Sequence, residues 1–382
     1  MPSVKKSGSR PRAASAAAAG FPARPASLPT ASPPSPASSR PLRLGFIALS
    51  DAAPLIVAHE YGFFRRQGLA VELSREVGWA TIRDKVIYGE LDAAHALGAM
   101  VVSTALGLEG PARPCLTACL LSSEGNAITL SESLWQRGVR DVASLRDEIV
   151  RNRHERPLVL GVVYRFSTHH LLLCEWLRSG GIDPGRDVRI VVVPPAQLFR
   201  NLAAGTIDGY CVGEPWTSLA VREAVGWCAA RSRDISPEHP EKVLMAGGEF
   251  AATRGDEHLA LVAAVSEAAE LCDRPDFRPE LARLLGRREY LNLAERVLAA
   301  GLAGPFSYGH NRLAADTAQR TVAFTPSRPE PGQADWLVES MRRHGLIPAG
   351  FVLPRHFSRT LFRADLFAQA LQRRSLSAAG SA

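Results

Sequence analysis

The chain has 382 residues, 46% of them apolar, which is long enough for two packed lobes. Its formal charge of +7 is unevenly placed: residues 1–41 hold Lys5, Lys6, Arg10, Arg12, Arg24 and Arg40 and no acid, leaving 39 basic against 38 acidic residues in the rest. A near-neutral body argues against direct nucleic-acid binding, and no stretch reaches the roughly 18 apolar residues of a membrane span.

Residues 1–41 are rich in Ala, Ser and Pro, with nine prolines and no periodic apolar pattern. They cannot bury enough surface to offset chain entropy, so a disordered basic tail is expected. They do not read as an export signal either. The best apolar run, Ala13 to Phe21, is broken by Ser15 and Gly20 and has no Leu, Ile or Val. Without a twin-Arg pair or a lipidation Cys, the body is expected in the cytoplasm. Cys115, Cys119, Cys174, Cys211, Cys228 and Cys272 form no C-x-x-C pair, so buried free thiols are expected, with no zinc site and no cofactor.

Order is expected from Leu42, with a strand to Leu49 and a helix after Ser50-Asp51-Ala52-Ala53-Pro54, capped by Asp51 or Ser50. A short strand at Val71–Leu73 leads to a loop around Gly78-Trp79, a helix from Thr81 and a strand from Asp92 to Leu97. Cys115 to Leu121 is a further strand, ending in the turn Ser122 to Asn126. A second unit follows: strand Leu158–Val163, helix Thr168–Arg178, strand Val188–Val193, a helix from Gln197 and strand Asp208–Val212. From about Lys242 the pattern is helical, over 258–272, 278–287, 292–302, 334–344 and 363–373.

Two segments read alike. Gly89-Glu90-Leu91-Asp92-Ala93-Ala94 and Gly205-Thr206-Ile207-Asp208-Gly209-Tyr210 each follow an amphipathic helix that stops at Gly, and each opens a β run. Two such units predict two α/β lobes with largely parallel sheets around an interlobe cleft. The expected division is lobe 1 over 42–130, lobe 2 over 131–245, a helical return to lobe 1 over 246–375, and a flexible end at 376–382.

No P-loop, hydrolase elbow or dinucleotide fingerprint is present, and no nucleophile–base set points to an enzyme. What remains is a group of residues placed in loops after strands: Trp79, Asn126, His169, Pro195 and, beyond the Glu214 helix, Lys242. They offer an indole N–H, an amide, an imidazole and a cation, a set suited to a small anion. Each also has a plain structural reading, as packed aromatic, strand end or solvated loop lysine.

The combination resembles the nitrate- and bicarbonate-binding family of solute-binding proteins. The matching blocks include Ser50-Asp51-Ala52-Ala53-Pro54-Leu55, Trp79 to Lys85, Gly89 to His95, Gly125-Asn126-Ala127-Ile128, Val193-Pro194-Pro195, Gly205 to Trp216 and Pro240-Glu241-Lys242-Val243-Leu244. The resemblance covers roughly residues 43–250 and implies a type II periplasmic-binding-protein fold. It places anion contacts on Trp79, the Gly125-Asn126 turn, His169, Pro195 and Lys242. Transport members have Gln where this chain has Asn126. Nitrate binders resemble this chain in having Lys at position 242, whereas bicarbonate binders carry an acid there. A body of this type without a leader looks like the cytoplasmic nitrate sensors of the NasS type, whose partner is a NasT-like RNA-binding antiterminator released when nitrate or nitrite binds. The alternative expectation is the solute-binding component of a nitrate transporter.

Overall fold

The computed structural model describes residues 40–154, 156–314 and 321–379, with side chains to 375. The expected tail therefore lies outside the described residues except for Arg40 and Pro41. β1 (Leu42–Ile47), β2 (Val71–Glu76), β3 (Ala93–Leu97) and β4 (Cys115–Glu124) belong to one sheet, and β5 (Asn126–Ser131), β6 (Leu158–Val162), β7 (Val188–Val192), β8 (Gly209–Gly213) and β9 (Gly226–Arg231) form a second. The chain then returns to the first sheet through β10 (Pro240–Gly247). A hairpin, β11 (Ser307–Gly309) and β12 (Arg312–Leu313), precedes a last short strand, β13 (Val322–Ala323), so that the first sheet runs β13-β4-β10-β3-β1-β2 and the second β7-β6-β8-β5-β9.

The two expected repeats are built alike. The Asp92 carboxylate accepts from the Arg40 guanidinium at 2.7 and 2.8 Å and from Arg43 N–H at 2.8 Å, which ties the start of β3 to β1. Asp208 does the same between β8 and β6, accepting from Arg156 at 2.8 and 3.0 Å and from Val159 N–H at 2.8 Å. The residue separations are equal, 52 to each arginine and 49 to each backbone N–H. These are charge-assisted bonds that fix strand register at the opening of each sheet. Beneath them, glycine lets a helix and turn approach the strand. A Cβ on Gly45 would lie 2.5 Å from Leu91 Cδ1, and one on Gly161 would lie 2.5 Å from Leu198 Cδ2. The helices of this motif, Trp79–Ile87 and Pro195–Ala203, each have nine residues, so Trp79 and Pro195 hold matching first positions.

The sheets are mixed, not largely parallel as the alternation predicts. β1 is parallel to β2 and β3, and β6 to β7 and β8, but β10 is antiparallel to β3 and β4, and β5 to β8 and β9. The reason is connectivity: a parallel neighbour needs a crossover helix, whereas a strand that arrives from the other sheet enters against the grain. The chain leaves the first sheet at Gly125 and returns between Arg231 and Pro240, so the expected division at 130/131 falls inside β5.

The helix Gly255–Asp273 covers one face of the first sheet with Leu261, Val262 and Val265, packed with Phe46 and Leu55 in one core. The other face joins Trp79, Ile82 and Met100 with Leu337 and Met341 of the helix Pro331–Arg343. The second sheet has its own core around Ile128, Leu160, Trp176 and Trp227. All six cysteines are buried free thiols, and burial raises the pKa of each. The last helix continues to Ala379, beyond the expected end of order at 375. Among the described residues no helix is long and apolar enough to cross a membrane.

Candidate functional site

The two sheets meet where β4 passes into β5. Glu124 and Gly125 both take positive φ there, +60° and +85°, and a Cβ on Gly125 would lie 2.6 Å from Val322 Cγ2. This left-handed step sends the chain across the seam and places Asn126 opposite Gly213 of β8. Gly213 marks the point of convergence: a Cβ there would stand 3.2 Å from Asp51 Oδ2, 3.3 Å from Asn126 Oδ1 and 3.9 Å from His169 Nε2. Side chains from both sheets thus face one small buried space. Ser50 N–H donates across the seam to the Glu214 carbonyl at 2.8 Å.

Lys242 is not the loop lysine expected. It is the third residue of β10, pairs with Leu97 of β3 and Ser122 of β4, and is wholly buried. Four apolar residues, Val243 to Ala246, follow it into the sheet. Its Nζ lies 2.9 Å from Asp51 Oδ2 and 2.7 Å from Glu241 Oε1. Burial alone would lower the Lys242 pKa, but the two carboxylates outweigh it and raise the value. Burial would likewise raise Asp51 and Glu241. For Asp51 the Lys242 cation and the hydrogen bond from His95 oppose this, and for Glu241 the Lys242 cation does; both carboxyls end below their ordinary range. Asp51 therefore does not cap the following helix, whose N-terminus has no side-chain cap; it turns inward to the ion cluster.

Three imidazoles surround these charges. His95 receives the Ile47 N–H on Nδ1 at 3.3 Å, so its single proton sits on Nε2, 2.9 Å from Asp51 Oδ1. His169 opens the helix Thr168–Ser179 with Nε2 3.6 Å from Glu241 Oε1, and burial brings its pKa down to about 3. His239 Nδ1 lies 3.5 Å from Glu241 Oε2. Trp79 stacks obliquely on His95, ring centroids 5.3 Å apart, and its ring lies 5.7 Å from Lys242 Nζ.

Of the residues expected from sequence, Trp79, Asn126, His169 and Lys242 meet in this seam, with Gly125 supplying the turn. Pro195 is buried at the start of its helix. Several buried polar atoms of the cluster have no hydrogen-bond partner among the described residues: Trp79 Nε1, both amide atoms of Asn126, both ring nitrogens of His169, and the hydroxyls of Ser50 and Ser122. A fold does not bury such groups without cause, because each costs free energy until a partner meets it. They form a ready set of donors and acceptors for a small polar solute. Sequence reasoning missed Asp51, His95, His239 and Glu241 as members of the cluster. The adjoining opposite charges Glu241-Lys242 at the head of an apolar run were the available signal.

The site is shut. Trp79, Asn126, His169 and Lys242 are all 2% exposed or less. A clasp spans the two halves: Arg83 donates to Tyr164 Oη at 2.9 Å and lies 3.3 Å from Glu109 Oε2, while Tyr164 Oη donates to Glu109. Arg83 rides on the Trp79 helix against the first sheet, and Tyr164 follows β6 of the second, so the clasp joins the two halves.

The NMT1-like family model matches residues 35–286. The nitrate import ATP-binding protein NrtC of Synechocystis sp. is 36% identical over 335 residues, 86% of this chain and 49% of that protein, so the chain spans about half the length of this relative. The bicarbonate-binding protein CmpA of Synechococcus sp. is 31% identical over 331 residues, 82% of this chain and 73% of CmpA. The crystal structure of the periplasmic nitrate-binding protein NrtA from Synechocystis PCC 6803 matches with a TM-score of 0.81 at 28% identity, covering 87% of this chain and 88% of that one. The chain belongs to the NMT1-like family, as a homologue of NrtA and CmpA, with the two-lobed fold of periplasmic binding proteins.

Proposed function

We propose that this chain binds nitrate or nitrite in the closed seam and acts in the cytoplasm as a sensor that controls a NasT-like RNA-binding antiterminator. The observation that carries the ligand class is the set of buried, unpartnered donors around Lys242 at the junction of two sheets, in a homologue of NrtA. Nitrate is planar and weakly basic, so affinity comes from several N–H donors in a dry space rather than from one strong bond. Trp79, Asn126 and His169 supply these donors, with the Gly125 turn holding Asn126 in place. The sensor reading rests on the resemblance to NasS-type proteins and on a two-lobed fold of the kind that closes around its ligand by hinge motion. An anion that favours the closed form shifts the surface offered to a partner by its differential affinity. The partner must then weaken anion binding by the factor by which the anion weakens the complex.

A second reading, the solute-binding part of a nitrate importer, is favoured by the likeness to NrtC. Calorimetry with nitrate, nitrite and bicarbonate tests the ligand. Size-exclusion runs with the antiterminator, with and without millimolar nitrate, test the switch: the sensor predicts a complex that nitrate dissolves, and a complex equally stable in both conditions rules it out.

The clasp gives a prediction of its own. Tyr164→Phe removes one hydroxyl between Arg83 and Glu109, bonds worth about 1.5–3 kcal/mol when charge-assisted. Because they form only when the lobes meet, nitrate affinity is expected to fall roughly tenfold, with the melting temperature within about 2 °C of wild type. Unchanged affinity in a calorimetric titration removes the clasp from the closing mechanism.

A further inference from the structure

The charges at the seam do not balance for an anion that arrives alone. Lys242 is the cation of the cluster, and it already serves two carboxylates, Asp51 and Glu241. The imidazoles of His95, His169 and His239 face these groups, and burial keeps each pKa below its ordinary value. With the rings neutral, the buried cluster carries one net negative charge. Glu214, next along the seam, turns its carboxylate to Ser218 N–H at 3.3 Å and adds no positive charge. A monoanion entering this space meets like charge where water cannot screen it.

We infer that the cluster captures its anion together with one proton, which His169 holds when the ligand brings none. The inference rests on reading the cluster as an anion site. His169 is singled out by geometry. Its Nε2 stands at the convergence with Asp51 and Asn126 beside Gly213, Glu241 lies 3.6 Å away, and both ring nitrogens lack a hydrogen-bond partner. Protonated, the ring offers two donors, one toward Glu241 and one to the anion. His95 cannot take this role without losing the Ile47 N–H bond to its Nδ1. His239 faces the other Glu241 oxygen, and its Nδ1 lies 3.4 Å from the Pro240 carbonyl.

The proton balance differs between ligands. Nitrate has no proton at neutral pH, so one H⁺ leaves the buffer and settles on His169 as nitrate enters. Bicarbonate carries its own O–H, which donates to a cluster carboxylate, and no proton leaves the buffer. The site therefore selects an anion with a proton, from solvent in one case and on the ligand in the other.

Calorimetric titration of the full chain with nitrate in PIPES and in imidazole, at one pH, measures the proton directly from the difference in heat. About one proton taken up per nitrate is expected, with the nitrate Kd rising about tenfold per pH unit between pH 6 and 8. In His169→Gln, which keeps an amide donor, uptake and pH dependence are expected to vanish, and for any ligand heat given by bicarbonate the uptake is expected to be near zero. Nitrate heat with zero uptake and a flat Kd overturns the inference while leaving the anion site standing. One proton still taken up by His169→Gln overturns the assignment to His169. No heat with any of the anions overturns the anion reading itself.

Discussion

Replacing Lys242 with Glu is expected to cost most of the protein's stability, beyond any loss of ligand binding. Lys242 is wholly buried in β10 between β3 and β4, with Nζ within 2.9 Å of two carboxylates. Removing one partner of a buried ion pair costs about 3–5 kcal/mol, because the remaining charge keeps its desolvation penalty. Reversal goes further and brings three carboxylates together. Against a typical folding stability of about 5–15 kcal/mol, the expected result is loss of soluble folded protein or a drop of more than about 10 °C in melting temperature. Lys242→Met should fall between, and adding Glu241→Gln to it should recover part of the loss by removing one unpaired charge. Circular-dichroism melts of the three variants decide the matter. A Lys242→Glu protein that melts within about 2 °C of wild type would mean that this lysine is solvated, as a loop lysine is.

That contrast shows where the sequence is readable and where it is not. The repeat around Asp92 and Asp208 is local in its signals: an amphipathic helix, a stopping Gly and an apolar β run all lie within some twenty residues. The spacing alone therefore predicts two matching lobes, and the structure places both aspartates in the same bond pattern. β10 is different. Pro240-Glu241-Lys242 reads as a solvated turn because Asp51, which meets Lys242, and His95, which meets Asp51, lie far away in sequence. Asn126 reads as the end of a turn, but it opens β5, because the left-handed step at Gly125 lets one strand follow another almost at once. His169 is legible as a helix-start residue, whereas Trp79 reads as a loop residue although it opens its helix, and their lack of hydrogen-bond partners appears only once both sheets are in place. The parallel-sheet expectation fails for a related reason. Alternating elements show which strands a helix connects, but not which strands cross between sheets.

Glu214 carries the last prediction, an inverted pH dependence of stability. It follows β8 at the seam, wholly buried, and burial lifts its pKa from 4.5 to about 7 against the opposing bond from Ser218 N–H. The helix Glu295–Leu302 closes over it, and a Cβ on Gly301 would come 3.0 Å from Glu214 Cγ. Between these two pKa values the folded chain holds a proton that the unfolded chain has released. Stability from this group is therefore full below about pH 4.5 and lost as pH rises through about 7, a change on the order of 3 kcal/mol. Buried histidines run the other way: His169 near 3, and His170 and His258 near 4, gain stability as pH rises toward the ordinary imidazole range. The test is therefore the difference between wild type and Glu214→Gln, in which the histidine contributions cancel. Urea midpoints at pH 5, 6, 7 and 8 are expected to diverge, with the variant gaining relative stability at each step and its largest advantage at pH 8. A constant difference across that range would mean that Glu214 titrates at its ordinary value and that the seam is wetter than its geometry implies.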